Sequence, residues 1–283
     1  MRPVALDALP DQDAMAEQDA WAGRKRLVCV DGLAMACVEI AGAEPALLMI
    51  HGFTDTSRSF SLMAPHLTGC RLIIPDLRGH GASPAGTSGF KPADFADDIA
   101  ALIGKLRLER PVLVGHSLGA MIAIELAAKH GGRIGGLVLL AGSLKPGISQ
   151  DHPMAVGVRG LCDPISPADP FYAYWHACRP GVPQAFLASM ATDASAMPAA
   201  RWRAILEQLC RADLTDTARG VRDDTLVIGG ARDPLFGEVH QQALLHALPH
   251  ASFLRAEGCS HNPHWEDPAL VAAAISGKFT AGA

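Results

Sequence analysis

The 283-residue sequence predicts an α/β fold: a mostly parallel, eight-stranded sheet flanked by helices, with one inserted helical segment. Three observations predict it. Short apolar runs, each closing on a loop that holds Gly, Asp or His, alternate with stretches of helical periodicity. A hairpin pattern stands ahead of them. One long stretch, residues 143–220, has no strand-like run and carries eight prolines between Pro146 and Pro198.

Residues 1–22 contain Asp7, Asp11, Asp13, Glu17 and Asp19 and lack both a basic start and an apolar segment. They are read as a flexible N-terminal arm rather than a secretory signal, with a cytoplasmic location. The core is expected over 23–142 and 221–283. Runs at 27–30 and 33–38 flank Asp31-Gly32, a dipeptide that tolerates the positive φ of a two-residue hairpin turn. Runs at 46–50, 71–74, 111–114, 137–140, 225–228 and 252–255 complete the eight strands. They are continuous rather than alternating, which implies cover on both faces. Helices are expected over 92–108, where Phe95, Ile99, Leu102 and Leu106 share a face, over 117–129, over 238–248, and from the N-cap Asp267-Pro268 onward. Right-handed crossovers then place a crevice at the carboxyl ends of the strands.

The segment 143–220 reads as a helical lid. It holds both tyrosines, two of the four tryptophans, Phe171 and Phe186. These suit either an apolar roof over a pocket or a small helical core of their own. Apolar residues make up 49% and charged residues 19%, a globular balance, and no apolar run nears the roughly 18 residues of a membrane span. A net charge of -5 with singly scattered Lys and Arg disfavours nucleic acid as a partner. Seven widely spaced cysteines with no Cys-x-x-Cys pair suggest neither a disulfide framework nor a zinc site. A small-molecule substrate, no metal, no organic cofactor, and a monomer or homodimer are expected.

The chemistry centres on Gly115-His116-Ser117-Leu118-Gly119, which joins a buried strand to an apolar helix. Two glycines free of clashing side chains permit a sharp turn that leaves the serine hydroxyl projecting. A serine is a weak nucleophile without a base and a group to orient that base. Asp233, just past the run 225–228, can supply the orienting carboxylate. His261, in the loop after 252–255, is the candidate base, preferred over His264, which is read as packing beside Trp265. The backbone N–H groups of Phe53 and Leu118 are candidate donors to an oxyanion. His51 suits bracing of the loop that carries Phe53. His51, His116, Tyr172, Trp175, Phe186 and Phe236 are candidate pocket residues.

With these residues in place, the chain resembles the α/β-hydrolase superfamily over roughly residues 26–280. The resemblance rests on His51-Gly52-Phe53, on Pro75-Asp76-Leu77-Arg78-Gly79-His80-Gly81, on the serine turn, on Gly230-Ala231-Arg232-Asp233, and on His261 with Trp265-Glu266-Asp267-Pro268. It implies the triad Ser117, Asp233 and His261, the two amide donors, and a structural role for Asp76, Arg78 and His80. Ser260 stands where similar proteins often have glycine. Relatives that open epoxides or remove halides carry aspartate where Ser117 stands, so acyl chemistry is expected. Relatives that cut carbon–carbon bonds usually show Gly-Pro-Gly-like oxyanion loops, unlike His51-Gly52-Phe53-Thr54-Asp55. No carboxylate occurs in 139–143 to serve as an alternative acid. The expectation is a carboxylic ester hydrolase acting on a small to medium, fairly apolar ester or lactone. A C–C bond hydrolase, a perhydrolase or haloperoxidase-like enzyme with the same triad, and a ligand receptor with little turnover are the alternatives.

Overall fold

A computed structural model describes residues 12–87 and 89–280. Eight strands form one sheet in the order β1-β2-β4-β3-β5-β6-β7-β8. The hairpin β1 (Arg26–Val30) and β2 (Leu33–Ile40) is antiparallel, with Asp31 and Gly32 at φ 46° and 86° as its turn requires. β2 pairs antiparallel with β4 (Cys70–Pro75). The other ladders are parallel: β4 with β3 (Ala43–Ile50), then β3 with β5 (Val112–His116), β6 (Gly136–Leu140), β7 (Thr225–Gly230) and β8 (Ser252–Ala256) in turn.

The apolar runs bury both faces because helices cover both. Along β3, Leu48 and Ile50 join one core cluster while Leu47 and Met49 join another, and Leu113 and Val114 of β5 divide the same way. The first cluster takes in Phe95, Ile99 and Leu102 of helix α2 (Pro92–Leu106) and most of α3 (Leu118–His130). The second includes Val271 and Ile275 of α11 (Pro268–Phe279). β8 departs from expectation. At the sheet edge it is largely exposed, with Phe253 38% accessible, because no further strand covers it.

Local chemistry sets the helix limits. α2 starts with Pro92 in its first turn, and the Asp94 carboxylate accepts the Lys91 N–H at 2.8 Å. It ends earlier than the periodicity suggests because Arg107 turns left-handed at φ 52°. Asp267 caps α11 by accepting the Leu270 N–H at 3.1 Å.

Between β6 and β7 lie α4 (Pro153–Gly160), α5 (Phe171–Trp175), α6 (Gln184–Ser195), α7 (Ala199–Arg211) and α8 (Thr215–Arg219), with no strand among the described residues; α9 (Glu238–Ala247) follows β7, and α10 (Pro263–Glu266) precedes α11. Helix α1 (Gln12–Gly23) differs from the flexible arm read over residues 1–22. It is docked: Trp21 is buried with its indole N–H 3.4 Å from Ser57 Oγ, and the Gln18 carbonyl accepts Arg58 Nη1 at 2.6 Å. The acidic, weakly periodic segment hides this anchor, since one tryptophan finds its pocket only in the folded protein. The part of that arm before Gln12 lies outside the described residues.

Candidate active site

Ser117 sits between β5 and α3 in a conformation few non-glycine residues adopt, φ 52° and ψ -110°. Strand pairing runs right up to it, as its N–H donates to Leu140 O at 2.9 Å. Both flanking glycines are required by close backbone approach. A Cβ on Gly115 would lie 2.2 Å from Gly119 O, and one on Gly119 would lie 2.0 Å from Ile50 O.

Loops at the carboxyl ends of β7 and β8 bring Asp233 and His261 to this turn. His261 Nε2 lies 3.1 Å from Ser117 Oγ, and His261 Nδ1 lies 2.9 Å from Asp233 Oδ2. A carboxylate only accepts, so Nδ1 carries the proton and Nε2 is free to take one from the serine. Asp233 Oδ1 accepts the Leu235 and Phe236 N–H groups at 2.8 and 2.9 Å. Burial alone would raise the Asp233 pKa. The His261 ring and these amides outweigh it and hold the carboxyl below its ordinary value. Gly230 makes this crossing possible, since a Cβ there would meet Ser260 O at 1.9 Å. Ser260 itself is accommodated: Glu266 accepts both its N–H and its hydroxyl.

The N–H groups of Phe53 and Leu118 donate to nothing among the described residues, and both residues adjoin Ser117 through the loop after β3 and the start of α3. His51 lies behind that loop. It accepts the Leu77 N–H at Nε2, 2.9 Å away, and therefore donates from Nδ1 to Gly52 O at 2.8 Å. It is buried and does not line the cavity, so the bracing role fits and the pocket position does not. Asp76, Arg78 and His80 also stay off the cavity: Asp76 accepts the Ser57 and Ala82 N–H groups and Lys25, Arg78 pairs with Asp98, and His80 is fully enclosed.

A cavity of about 110 Å³ opens over Ser117 and His261. Of the pocket candidates, His116, Trp175 and Phe236 line it, while Tyr172 and Phe186 do not. Phe186 packs edge-on against Trp265 at 5.2 Å, and Tyr172 packs beneath Trp202 and His176. The lid aromatics thus divide between roof and core. Trp175 holds its place by donating to Thr54 Oγ1 at 2.8 Å and by meeting Phe53 edge-on at 5.6 Å. His264 does not line the cavity. It hydrogen-bonds Ser59 Oγ at 2.9 Å and lies 4.4 Å, ring to ring, from His116, whose Nε2–H donates to His261 O at 3.0 Å.

Sequence reasoning missed Asp55, His176 and Asn262, which also line the cavity together with Tyr174, read beforehand only among the lid aromatics. Asp55 carried a signal, as a carboxylate two residues past a candidate oxyanion donor. Asn262 carried one as well, as the residue next to the candidate base His261, whereas His176 sits at the end of α5, where only helix packing brings it inward. Among the described residues, no three or more His, Cys, Asp or Glu side chains are grouped to hold a metal ion, and no helix is long and apolar enough to cross a membrane.

Comparison with known proteins agrees with this architecture. A pimeloyl-[acyl-carrier protein] methyl ester esterase from Aromatoleum aromaticum is 30% identical over 247 residues, covering 80% of this chain and 96% of that one. A 2-(acetamidomethylene)succinate hydrolase from Mesorhizobium japonicum is 41% identical over 90 residues, 31% of this chain and about a third (32%) of that protein. An esterase from Exiguobacterium antarcticum shares the fold with a TM-score of 0.78 at 18% identity, covering 90% of this chain and 98% of that one. The alpha/beta hydrolase family model matches residues 47–274, and the chain belongs to that family.

Proposed function

We propose that the protein is a carboxylic ester hydrolase acting on small to medium esters or lactones, with Ser117, His261 and Asp233 as its catalytic triad. The observation that carries this reading is the unbroken chain Ser117 Oγ–His261 Nε2, His261 Nδ1–Asp233 Oδ2, at 3.1 and 2.9 Å, opening into a cavity walled mostly by apolar side chains. Ser117 Oγ attacks the acyl carbon as His261 Nε2 takes its proton. The Phe53 and Leu118 amides stabilise the oxyanion of the tetrahedral intermediate. His261 returns the proton to the leaving alcohol, and Asp233 supports the transient imidazolium. Water, activated by the same histidine, then releases the acid. Helices α4, α5 and α7 act as a cap, contributing Met154, Tyr174, Trp175 and Leu209 to the cavity walls.

The relative from Aromatoleum aromaticum supports an ester as the scissile bond. A serine-directed phosphonate, with the adduct mapped by mass spectrometry, tests the nucleophile. Label on Ser117 is expected, together with loss of at least about three orders of magnitude in esterase rate in Ser117→Ala. Label elsewhere, or an unchanged rate, overturns the assignment.

A further inference from the structure

Four polar side chains outside the Ser117–His261–Asp233 chain, Asp55, His116, His176 and Asn262, interrupt the apolar lining of the cavity, and two of them form a pair. Asp55 is 4% exposed. Its Oδ2 accepts the Ser59 hydroxyl at 2.9 Å and lies 3.6 Å from His116 Nδ1, while Oδ1 accepts nothing from the described residues. His176 is 7% exposed, and neither of its ring nitrogens is hydrogen-bonded to a described residue; Nε2 is sealed away entirely. Its ring is fixed by stacking on Tyr172 at 5.3 Å and by an edge contact with Trp265 at 5.9 Å.

The two groups lie within electrostatic reach of each other. Burial alone would raise the Asp55 pKa, but His116, His51 and His176 outweigh it and keep the carboxyl below its ordinary value. Burial pushes His176 down to about 4 against the opposing pull of Asp55. At neutral pH the cavity therefore presents an ionised carboxylate, which only accepts, beside a neutral imidazole with one N–H to give. Polar atoms buried without partners are costly, and Asp55 Oδ1 and the His176 ring nitrogens have none among the described residues.

A ligand group that both donates and accepts satisfies the pair: its O–H or N–H meets Asp55 Oδ1, and its oxygen takes the N–H of His176 Nδ1, the ring nitrogen that is not sealed away. A hydrocarbon chain satisfies neither, and a ligand carboxylate is repelled by Asp55. We propose that Asp55 and His176 form a polar subsite that selects substrates carrying a hydroxyl or secondary amide apart from the scissile carbonyl. The proposal rests on the ester-hydrolase reading for the bond that is cut, but not for the binding of that group.

The test compares ethyl hexanoate, its monohydroxy analogues and ethyl N-acetyl-β-alaninate, all of matched chain length. Wild-type protein is expected to favour at least one polar member by about tenfold or more in kcat/KM. His176→Phe and Asp55→Asn are expected to bring that ratio to about one, whatever their overall rates. If Asp55→Asn does not fold, His176→Phe decides. In parallel, Ser117→Ala is titrated with the same esters by the fluorescence of Trp175 and Trp265, which line the cavity. The same preference is expected in Kd. Preferential binding without wild-type turnover keeps the subsite and sinks ester hydrolysis. Turnover with no preference, or an equal loss for every ester in the variants, sinks the subsite. A hydroxyl preference without an amide preference identifies the donor as O–H, and the reverse as N–H.

Discussion

The hydrogen-bonding roles of individual atoms carry most of the proposed chemistry. Asp233 combines two functions on two oxygens, since Oδ1 is committed to the Leu235 and Phe236 amides while Oδ2 meets His261. In Asp233→Asn the carbonyl oxygen is drawn to those amides, which turns the NH2 group toward His261 Nδ1. The imidazole must then carry its proton on Nε2, facing Ser117, where it cannot act as a base. We expect kcat to fall by about 10⁴-fold with KM little changed, measured on any ester the wild type turns over. A loss of less than about tenfold would place the orienting acid elsewhere.

At the scale of elements, the junction of β5 and α3 is held by backbone proximity rather than by side chains. The Cβ of Gly119→Ala would lie 2.0 Å from the Ile50 carbonyl, which belongs to β3, so strand and helix must separate. Overpacking of this kind costs about 1–3 kcal/mol, or more where backbone has to move. For a chain of this size each kcal/mol lowers Tm by about 2–4 °C. Gly104 in α2 has open space around its Cα, so Gly104→Ala should instead stabilise by about 0.5–1 kcal/mol. Thermal melts of the pair should therefore shift in opposite directions. A common direction would remove the argument from close approach.

Across the whole molecule, α1 ties the start of the described chain to the loop after β3 and to the cap. Arg58 links three parts: Nη1 donates to the Gln18 carbonyl of α1, Nε pairs with Asp193 of α6 at 2.8 Å, and the arginine itself lies in the turn Ser57–Phe60. Trp21 fills the adjoining pocket. Trp21→Ala should cost about 3 kcal/mol of stability, read from urea midpoints. A change below about 0.5 kcal/mol would mean that α1 rests on the surface without anchoring it.

Buried histidines govern the global response to pH. Burial lowers His80 to about 3 and His176 to about 4, and takes His264 well below its ordinary value. All three are neutral in the folded protein near pH 6, where the unfolded chain begins to bind protons at its ordinary histidine pKa of about 6.5. Their stabilisation is therefore full above about pH 6.5 and is lost as pH falls toward the folded values. Each contributes a slope of up to about 1.4 kcal/mol per pH unit in that window. Urea midpoints should fall steadily from pH 7 to pH 5, and less steeply in His176→Phe. A flat profile would contradict the burial of these rings.

Much of this was legible in the residues alone, for a physical reason. Turn chemistry and strand periodicity are local, so Asp31-Gly32, the apolar runs and the Asp267 cap announced the hairpin, the strands and the last helix. The serine turn was equally legible, because its two glycines answer to backbone clashes that no other residue tolerates. Chain order placed Asp233 and His261 as candidates, and parallel pairing of β5 through β8 brings them to Ser117. What only the tertiary structure decided is which side chains face the cavity. Trp175 and Tyr172 lie three residues apart on one short helix, yet the first lines the cavity and the second does not. His116, at the end of β5, and Asp55, in the loop after β3, meet at 3.6 Å. The docking of α1, the exposure of β8 at the sheet edge and the meeting of Asp55 and His176 in one cavity likewise depend on contacts between segments far apart in the chain. No local pattern encodes those contacts, because each is settled by the packing of whole elements against one another.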